Sequence, residues 1–162
     1  MEAIAYLTGQ HRDIEHALRK ALATDDAAAR RSQVLDVADA LILHITAEEQ
    51  VFYPAVHADP NEDVLLESLE EHLALKRLLS DLLVLHPDDV TFQPKLHVLR
   101  EQAEHHHKDE EKKLFPEVRG KFDDDRREAL GREMEALQLR MQAVGKPRRA
   151  VHGQTAAAEP LR

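Results

Sequence analysis

Cysteine is absent from this sequence, which excludes disulfide bonds and thiolate metal sites. No apolar run approaches the roughly 18 residues that a membrane-spanning helix needs, so we expect no membrane contact. The first ten residues lack a basic stretch followed by an apolar one, so we expect no signal peptide. Together these absences favour a cytoplasmic location, where thiols and metal ions are kept reduced.

Glycine and proline are also scarce, at 5 and 7 in 162 residues, and no segment alternates as a strand does. Apolar residues instead recur at steps of three or four, which predicts helices almost throughout. The fold class that follows is all-α, an up-down-up-down four-helix bundle. We expect a bundle domain over 1–120 (hairpins at about 3–57 and 62–119), an extra short helix over 121–144 and a disordered tail over 145–162.

The charge balance limits the possible partners. The formal net charge is -9, and such a surface repels a phosphate backbone, so we expect no nucleic-acid partner. Protein partners are not indicated. In contrast, 11 histidines are an excess for a chain of this length, and such an excess invites a search for metal ligands.

Six polar residues interrupt the apolar faces of the predicted helices, at positions where the helical period calls for leucine. They are His11, His44, Glu48, His72, His106 and Glu110. Burying an ionised group without a partner costs several kcal/mol, whereas a whole domain is stable by only ~5–15 kcal/mol. These groups must therefore either pair with one another or bind cations.

The six residues form a twofold internal repeat. His44 and Glu48 stand four residues apart and so share one helix face, as do His106 and Glu110. An aromatic residue and a proline follow both pairs at the same distance, at 53–54 and at 115–116. His11 and His72 occupy matching places on the helix that precedes each pair. Two hairpins packed about a pseudo-twofold axis would bring all six side chains together.

This doubled pattern of a lone His and a His-x-x-x-Glu resembles the hemerythrin-like family, the HHE cation-binding domains. The resemblance covers about residues 3–120. It implies a cofactor of two iron ions joined by an oxo or hydroxo bridge. By the same resemblance the four histidines would be terminal ligands, and Glu48 and Glu110 would bridge the irons.

Several neighbouring side chains have two interpretations. Tyr53 either packs in the core or directs its hydroxyl at the metals. His105 and His107 are predicted to lie on the surface. The alternative is that His107, rather than the adjacent His106, faces the core as the ligand of this helix. Glu49 and Glu111 lie about 100° around the helix from the ligand glutamates and are either on the surface or behind the ligands.

Rival metal patterns match less well. The zincin pattern His-Glu-x-x-His is absent, and the ferritin-like Glu-x-x-His occurs only once on these faces, at Glu104 and His107. Imidazole and carboxylate ligands suit iron, manganese or zinc, and the donor types alone do not rank them. Iron follows from the resemblance.

The implied ligand count predicts the chemistry. Two histidines, two bridging carboxylates and a bridging oxygen would leave an open position on each iron, for a diatomic ligand or peroxide. Oxygen-carrying hemerythrins use more histidines, and no further ligand is evident here. We therefore expect a protein that binds or consumes peroxide, nitric oxide or dioxygen. As an enzyme it would be an oxidoreductase acting on peroxide (as a catalase does) or on nitric oxide. The alternative is an oxygen, iron or redox binding or sensing module without turnover.

Overall fold

The computed structural model describes residues 1–162, and all of its regular secondary structure is helical. The bundle consists of four long helices, α1 (Ala3–Leu22), α2 (Ala27–Ala47), α4 (Glu62–Val84) and α5 (Phe92–Asp109). The shorter helices are α3 (Tyr53–Val56) and α6 (Phe115–Lys121), and α7 (Asp124–Ala143) follows the bundle. The prediction of an all-α helical bundle is confirmed. None of these helices has both the length and the apolar content that crossing a membrane requires.

Short turns make each half of the chain a helical hairpin, and the two hairpins pack side by side. The guanidinium of Arg19 in α1 contacts Glu104 in α5, and the carbonyl of Leu22 accepts a hydrogen bond from Gln93. Because the pairing numbers rise along α1 and fall along α5, these two helices run antiparallel. The arrangement directs one face of each long helix toward a common centre.

The apolar core forms two clusters, with a polar layer between them. One cluster contains Leu18, Leu41 and Leu79, near the turns that close the hairpins. The other contains Phe52 and Phe115, toward the opposite end of the bundle. In every long helix, the predicted histidine falls between residues of the first cluster and residues of the second. The core thus encloses the polar layer from both sides.

Both His-x-x-x-Glu helices end in a π-helical turn that begins at the glutamate. These turns span Glu48–Phe52 and Glu110–Leu114. Pro54 and Pro116 follow them, and a proline cannot donate to the α-helical ladder and collides with the carbonyl four residues before it. A wider turn at this place accommodates the proline, and π turns are frequent at functional sites. The internal repeat therefore extends to the backbone.

The tail that the sequence predicts to be disordered is folded. Residues Pro147–Gln154 form a 3₁₀ helix against α2 and α4, and Val151 in it is fully buried in the apolar core. Arg148 forms an ion pair of 2.7 Å with Asp39. A single buried valine and one ion pair leave no periodic pattern in the sequence, which is why the prediction of disorder is wrong.

We predict that Val151→Ala lowers the free energy of unfolding by about 1–3 kcal/mol, because it leaves a cavity in the core. Val144→Ala is the matched control, since Val144 is 89% exposed. Urea denaturation of both variants measures the difference. Equal stability of the two variants would show that the tail does not pack against the bundle.

Candidate metal centre

The six predicted side chains meet in the polar layer, and all are at most 1% exposed. Their ligand atoms fall into two neighbouring halves of the layer that share Glu48 and Glu110. The two-histidine half adds His72 and His106, and its four ligand atoms all lie within 4.8 Å of one another. The three-histidine half adds His11 and His44 within the same distance of the glutamates, and His107, whose ligand atom lies within 4.8 Å of those of His11 and His44.

His107 is the member that the sequence interpretation placed on the surface. Its side chain is fully buried, and its ring stacks on that of His11 with the centroids 3.9 Å apart. The core-facing stripe of a bundle helix is at least about 100° wide, so two consecutive residues, His106 and His107, can both face inward. His105, the third histidine of the run, is 67% exposed, in agreement with the prediction for that residue. The run of three successive histidines on a core helix is the sequence feature that indicates a second imidazole ring facing inward.

The three-histidine half has the donor atoms that a cation needs. Five buried atoms lack a hydrogen-bond partner and point into it: Nε2 of His11, His44 and His107, Oε1 of Glu48 and Oε2 of Glu110. Glu48 Oε1 lies 3.1 Å from His44 Nε2, and Glu110 Oε2 lies 3.2 Å from His11 Nε2. A buried polar atom without a partner costs free energy, and a cation bound among these atoms would supply the missing partner.

The other carboxylate oxygens face the two-histidine half. Glu48 Oε2 lies 3.0 Å from His72 Nε2, and Glu110 Oε1 lies 3.6 Å from His106 Nε2. The two Nε2 atoms of this half are themselves 3.0 Å apart. Each glutamate thus offers one oxygen to each half, which is the arrangement that two bridged cations require.

A carboxylate or amide oxygen lies behind every one of the five rings, against the Nδ1 atom. The partners are Glu111 for His11 (2.9 Å), Gln10 for His44 (2.9 Å), Glu49 for His72 (3.0 Å), Glu71 for His106 (3.0 Å) and Glu15 for His107 (3.1 Å). Such partners fix the ring orientation and leave Nε2 free for a metal. Of the two sequence interpretations for Glu49 and Glu111, the structure supports the position behind the ligands.

The contact behind His72 includes a buried lysine that the sequence analysis did not single out. Lys76 Nζ lies 3.0 Å from both carboxylate oxygens of Glu49. Burial alone would raise the pKa of Glu49, but His72 and Lys76 outweigh it and lower the pKa. Glu49 therefore remains an ionised acceptor for His72 inside the core.

Tyr53 is fully buried, and its hydroxyl enters the two-histidine half. The hydroxyl donates its hydrogen bond to Glu110 Oε1, and it lies 3.3 Å from Glu48 Oε2 and 3.3 Å from His72 Nε2. Burial and the two carboxylates raise the pKa of Tyr53 well above its usual range, so the side chain stays a neutral hydroxyl. Of the two interpretations for Tyr53, the structure favours the hydroxyl directed at the site.

The carboxylates hold positive charge in the polar layer. Despite its burial, the pKa of Glu48 is well below the usual range because of His44, His106 and His11. Burial would lower the pKa of His11, but Glu110 and Glu48 outweigh it and raise the pKa to about 9. Despite burial, the pKa values of His72 and His106 are raised as well, by nearby carboxylates, whereas burial lowers those of His44 and His107. Where no metal is bound, protons on His11, His72 and His106 therefore supply positive charge beside the carboxylates.

Comparison with known proteins identifies the family. The sequence model of one protein family, the hemerythrin HHE cation-binding domain, matches residues 2–118. This segment is most of the chain and contains the whole polar layer. This chain belongs to the hemerythrin HHE cation-binding domain family. The match ends before α7 begins, so α7 and the tail lie outside it.

Two relatives of this HHE domain show how the fold occurs elsewhere. The crystal structure of an HHE cation-binding domain-containing protein from Mycobacterium kansasii has a TM-score of 0.77, 22% identity and 89% coverage of each chain. It therefore shares the fold. A protein of Nostoc sp. named DNA nickase is 28% identical over 102 residues, which are 63% of this chain but 29% of that protein. The chain thus spans less than a third of that relative.

We predict that His107→Ala lowers the metal content of this HHE domain, because it removes one Nε2 from the three-histidine half. His105→Ala is the matched control, since its exposed ring lies one residue away. Elemental analysis of both purified variants is the measurement. Wild-type metal content in His107→Ala would show that His107 is not a ligand.

We also predict that metal is held less tightly as the pH falls, because a proton on Nε2 must leave before a metal can bind. Since the pKa of His11 is raised to about 9, the apparent affinity should rise with pH up to about pH 9 and then level off. Competition between the metal-loaded protein and a chelator, at several pH values, measures this dependence. An affinity independent of pH would mean that no histidine proton is displaced.

Proposed function

We propose that this HHE domain binds one iron ion in each half and consumes small oxidants, hydrogen peroxide above all. The imidazole and carboxylate donors suit iron, and the family binds cations. Two adjacent irons would supply two-electron redox chemistry. The residues Glu48 and Glu110 would hold both ions in place, because each has one oxygen directed at each half.

The two halves differ in the number of protein donors. The three-histidine half has five and the two-histidine half has four, so a small ligand has more room in the latter. We therefore propose three histidines for one metal and two for the other, in place of the expected two for each. The sequence argument against reversible oxygen carriage rested partly on the lack of a further ligand. His107 is a candidate for that ligand, so this part of the argument no longer applies.

The observation that supports turnover is the Tyr53 hydroxyl in the two-histidine half. A hydrogen-bond donor beside a bound oxidant stabilises the negative charge that develops when the oxidant is reduced. Here a neutral hydroxyl stands within 3.3 Å of His72 Nε2 and of Glu48 Oε2. It can donate a hydrogen bond to an oxidant in this half, and its raised pKa keeps the proton on the tyrosine.

Peroxide is preferred over the other small oxidants by the balance of the reaction. Two molecules of hydrogen peroxide give two of water and one of dioxygen, so no external reductant is required. Consumption of dioxygen or nitric oxide would need a separate supply of electrons. The site is also fully buried between apolar clusters, which restricts entry to small molecules such as peroxide.

A binding or sensing module without turnover is the second candidate. It is supported by the Nostoc relative, in which the matching segment is a minor part of a longer protein. A domain in that context can act by changing shape when its metal or ligand changes. The activity in that relative's name is not transferred to this chain, because a net charge of -9 disfavours contact with DNA.

We predict that Tyr53→Phe slows peroxide decay by about 10²-fold, the typical effect of removing a positioned hydrogen-bond donor. Iron content should stay at the wild-type value, because Phe fills the same space and the imidazole and carboxylate donors remain. Dioxygen evolution per bound iron is the measurement, with free iron as the blank.

Stopped-flow mixing of the reduced protein with oxygenated buffer tests for reversible oxygen carriage instead of peroxide consumption. An oxygen adduct that disappears on degassing, together with peroxide decay no faster than that of free iron, would identify a carrier. An optical response without either reaction would favour the sensing module.

A further inference from the structure

His44 differs from the other four histidines in what lies behind it. The Nδ1 atoms of His11, His72, His106 and His107 all face carboxylates. The Nδ1 atom of His44 faces the neutral amide oxygen of Gln10, at 2.9 Å. An amide, unlike a carboxylate, has a donor end and an acceptor end, so it can support His44 only in one of its two orientations.

The orientation of the Gln10 amide is set by Gln138 of α7. The two side chains form a paired contact: Gln10 Nε2 donates to Gln138 Oε1 at 2.8 Å, and Gln138 Nε2 donates to Gln10 Oε1 at 3.2 Å. Tyr6 also donates its hydroxyl to Gln138 Oε1, at 2.5 Å. Gln138 is 6% exposed, so water has little access to replace these bonds.

A backbone carbonyl determines which way the amide pair points. Gln138 Nε2 donates to the carbonyl of Leu43 at 3.0 Å, and a carbonyl can only accept. The oxygen of Gln138 must therefore face Gln10 Nε2, and the oxygen of Gln10 must face His44. Because that oxygen only accepts, Nδ1 of His44 bears the proton, and the lone pair of Nε2 is directed into the three-histidine half.

We propose that α7 is a functional part of the metal centre, in which Gln138 and Gln10 are positioning residues that orient His44 for metal binding. Gln138 lies outside the residues that the family match covers, since α7 follows residue 118. The proposal rests on metal binding at the three-histidine half, as in the proposed function, but it is independent of peroxide consumption.

The neutral partner also has an electronic consequence. A carboxylate behind a ligating histidine makes the ring a stronger donor and favours the more oxidised metal. His44 lacks this support, so it is the weakest donor of the three-histidine half. Replacing the amide by a carboxylate, as in Gln10→Glu, should therefore lower the reduction potential of the bound iron.

The first experiment compares Gln138→Leu with wild type as iron-loaded, full-length proteins equilibrated against a competing chelator. Loss of the amide pair frees Gln10 to rotate, and such partners affect metal affinity by about 10–100-fold. One of two iron equivalents should thus leave at a roughly 10–100-fold lower chelator concentration. Gln142→Leu, at an exposed position of the same helix, is the matched control and should behave as wild type.

The second experiment separates orientation from simple packing of α7. In the double variant Gln10→Glu/Gln138→Leu, residue 10 has two acceptor oxygens and needs no partner to orient it. Iron retention should return to the wild-type range, and the reduction potential should be lower than in wild type. A role limited to packing would not be rescued in this way, because Gln10→Glu restores no contact with α7.

Two results would overturn the proposal. One is wild-type iron retention in Gln138→Leu, and the other is failure of the double variant to recover the weakened equivalent. The test is also distinguishable from that of the proposed function. A wild-type protein that retains iron but leaves peroxide unchanged would refute peroxide consumption, while iron retention by the variants would still decide the role of Gln138.

Discussion

The constraint on which this fold depends is the burial of two carboxylates and five imidazoles in one layer of the core. Isolated ionised groups are expensive at such a place, and five of the buried donor atoms have no hydrogen-bond partner within the protein. Cations between the rings and the carboxylates would satisfy those atoms, and folding would then be linked to metal binding. The apolar clusters on either side keep water away from the layer.

The chain combines a symmetric repeat with an asymmetric site. Both halves contain a lone histidine, a His-x-x-x-Glu and a π-helical turn before a proline. The asymmetry has two sources, because only the second half has a further inward histidine and only the first has a tyrosine before its proline. His107 completes one half of the site, whereas Tyr53 places a hydroxyl in the other. One half of the site thus offers more protein donors to a metal, and the other contains a hydroxyl.

The polar contacts behind the rings join the site to the surrounding helices. Carboxylates from α1, α4 and the two π-helical turns support four of the histidines, and an amide pair that includes α7 supports the fifth. Helix α7, which lies outside the matched family segment, thereby contacts the polar layer through the side chains of Gln138 and Gln10. The folded tail packs against α2 and α4, so both C-terminal additions contact the bundle around the site.

Helical periodicity alone predicts the all-α bundle and the six polar positions of its core, because each lies on an apolar stripe with a period of three to four residues. The role of these six as iron ligands stays a prediction. Periodicity is too coarse to distinguish His107 from a surface residue, since its angular position lies at the edge of the inward stripe. The partners Lys76 and Gln138 were not predictable, because each acts across helices far apart in sequence. The buried Val151 was hidden for the same reason: a single side chain has no period, and its environment exists only once the bundle has formed.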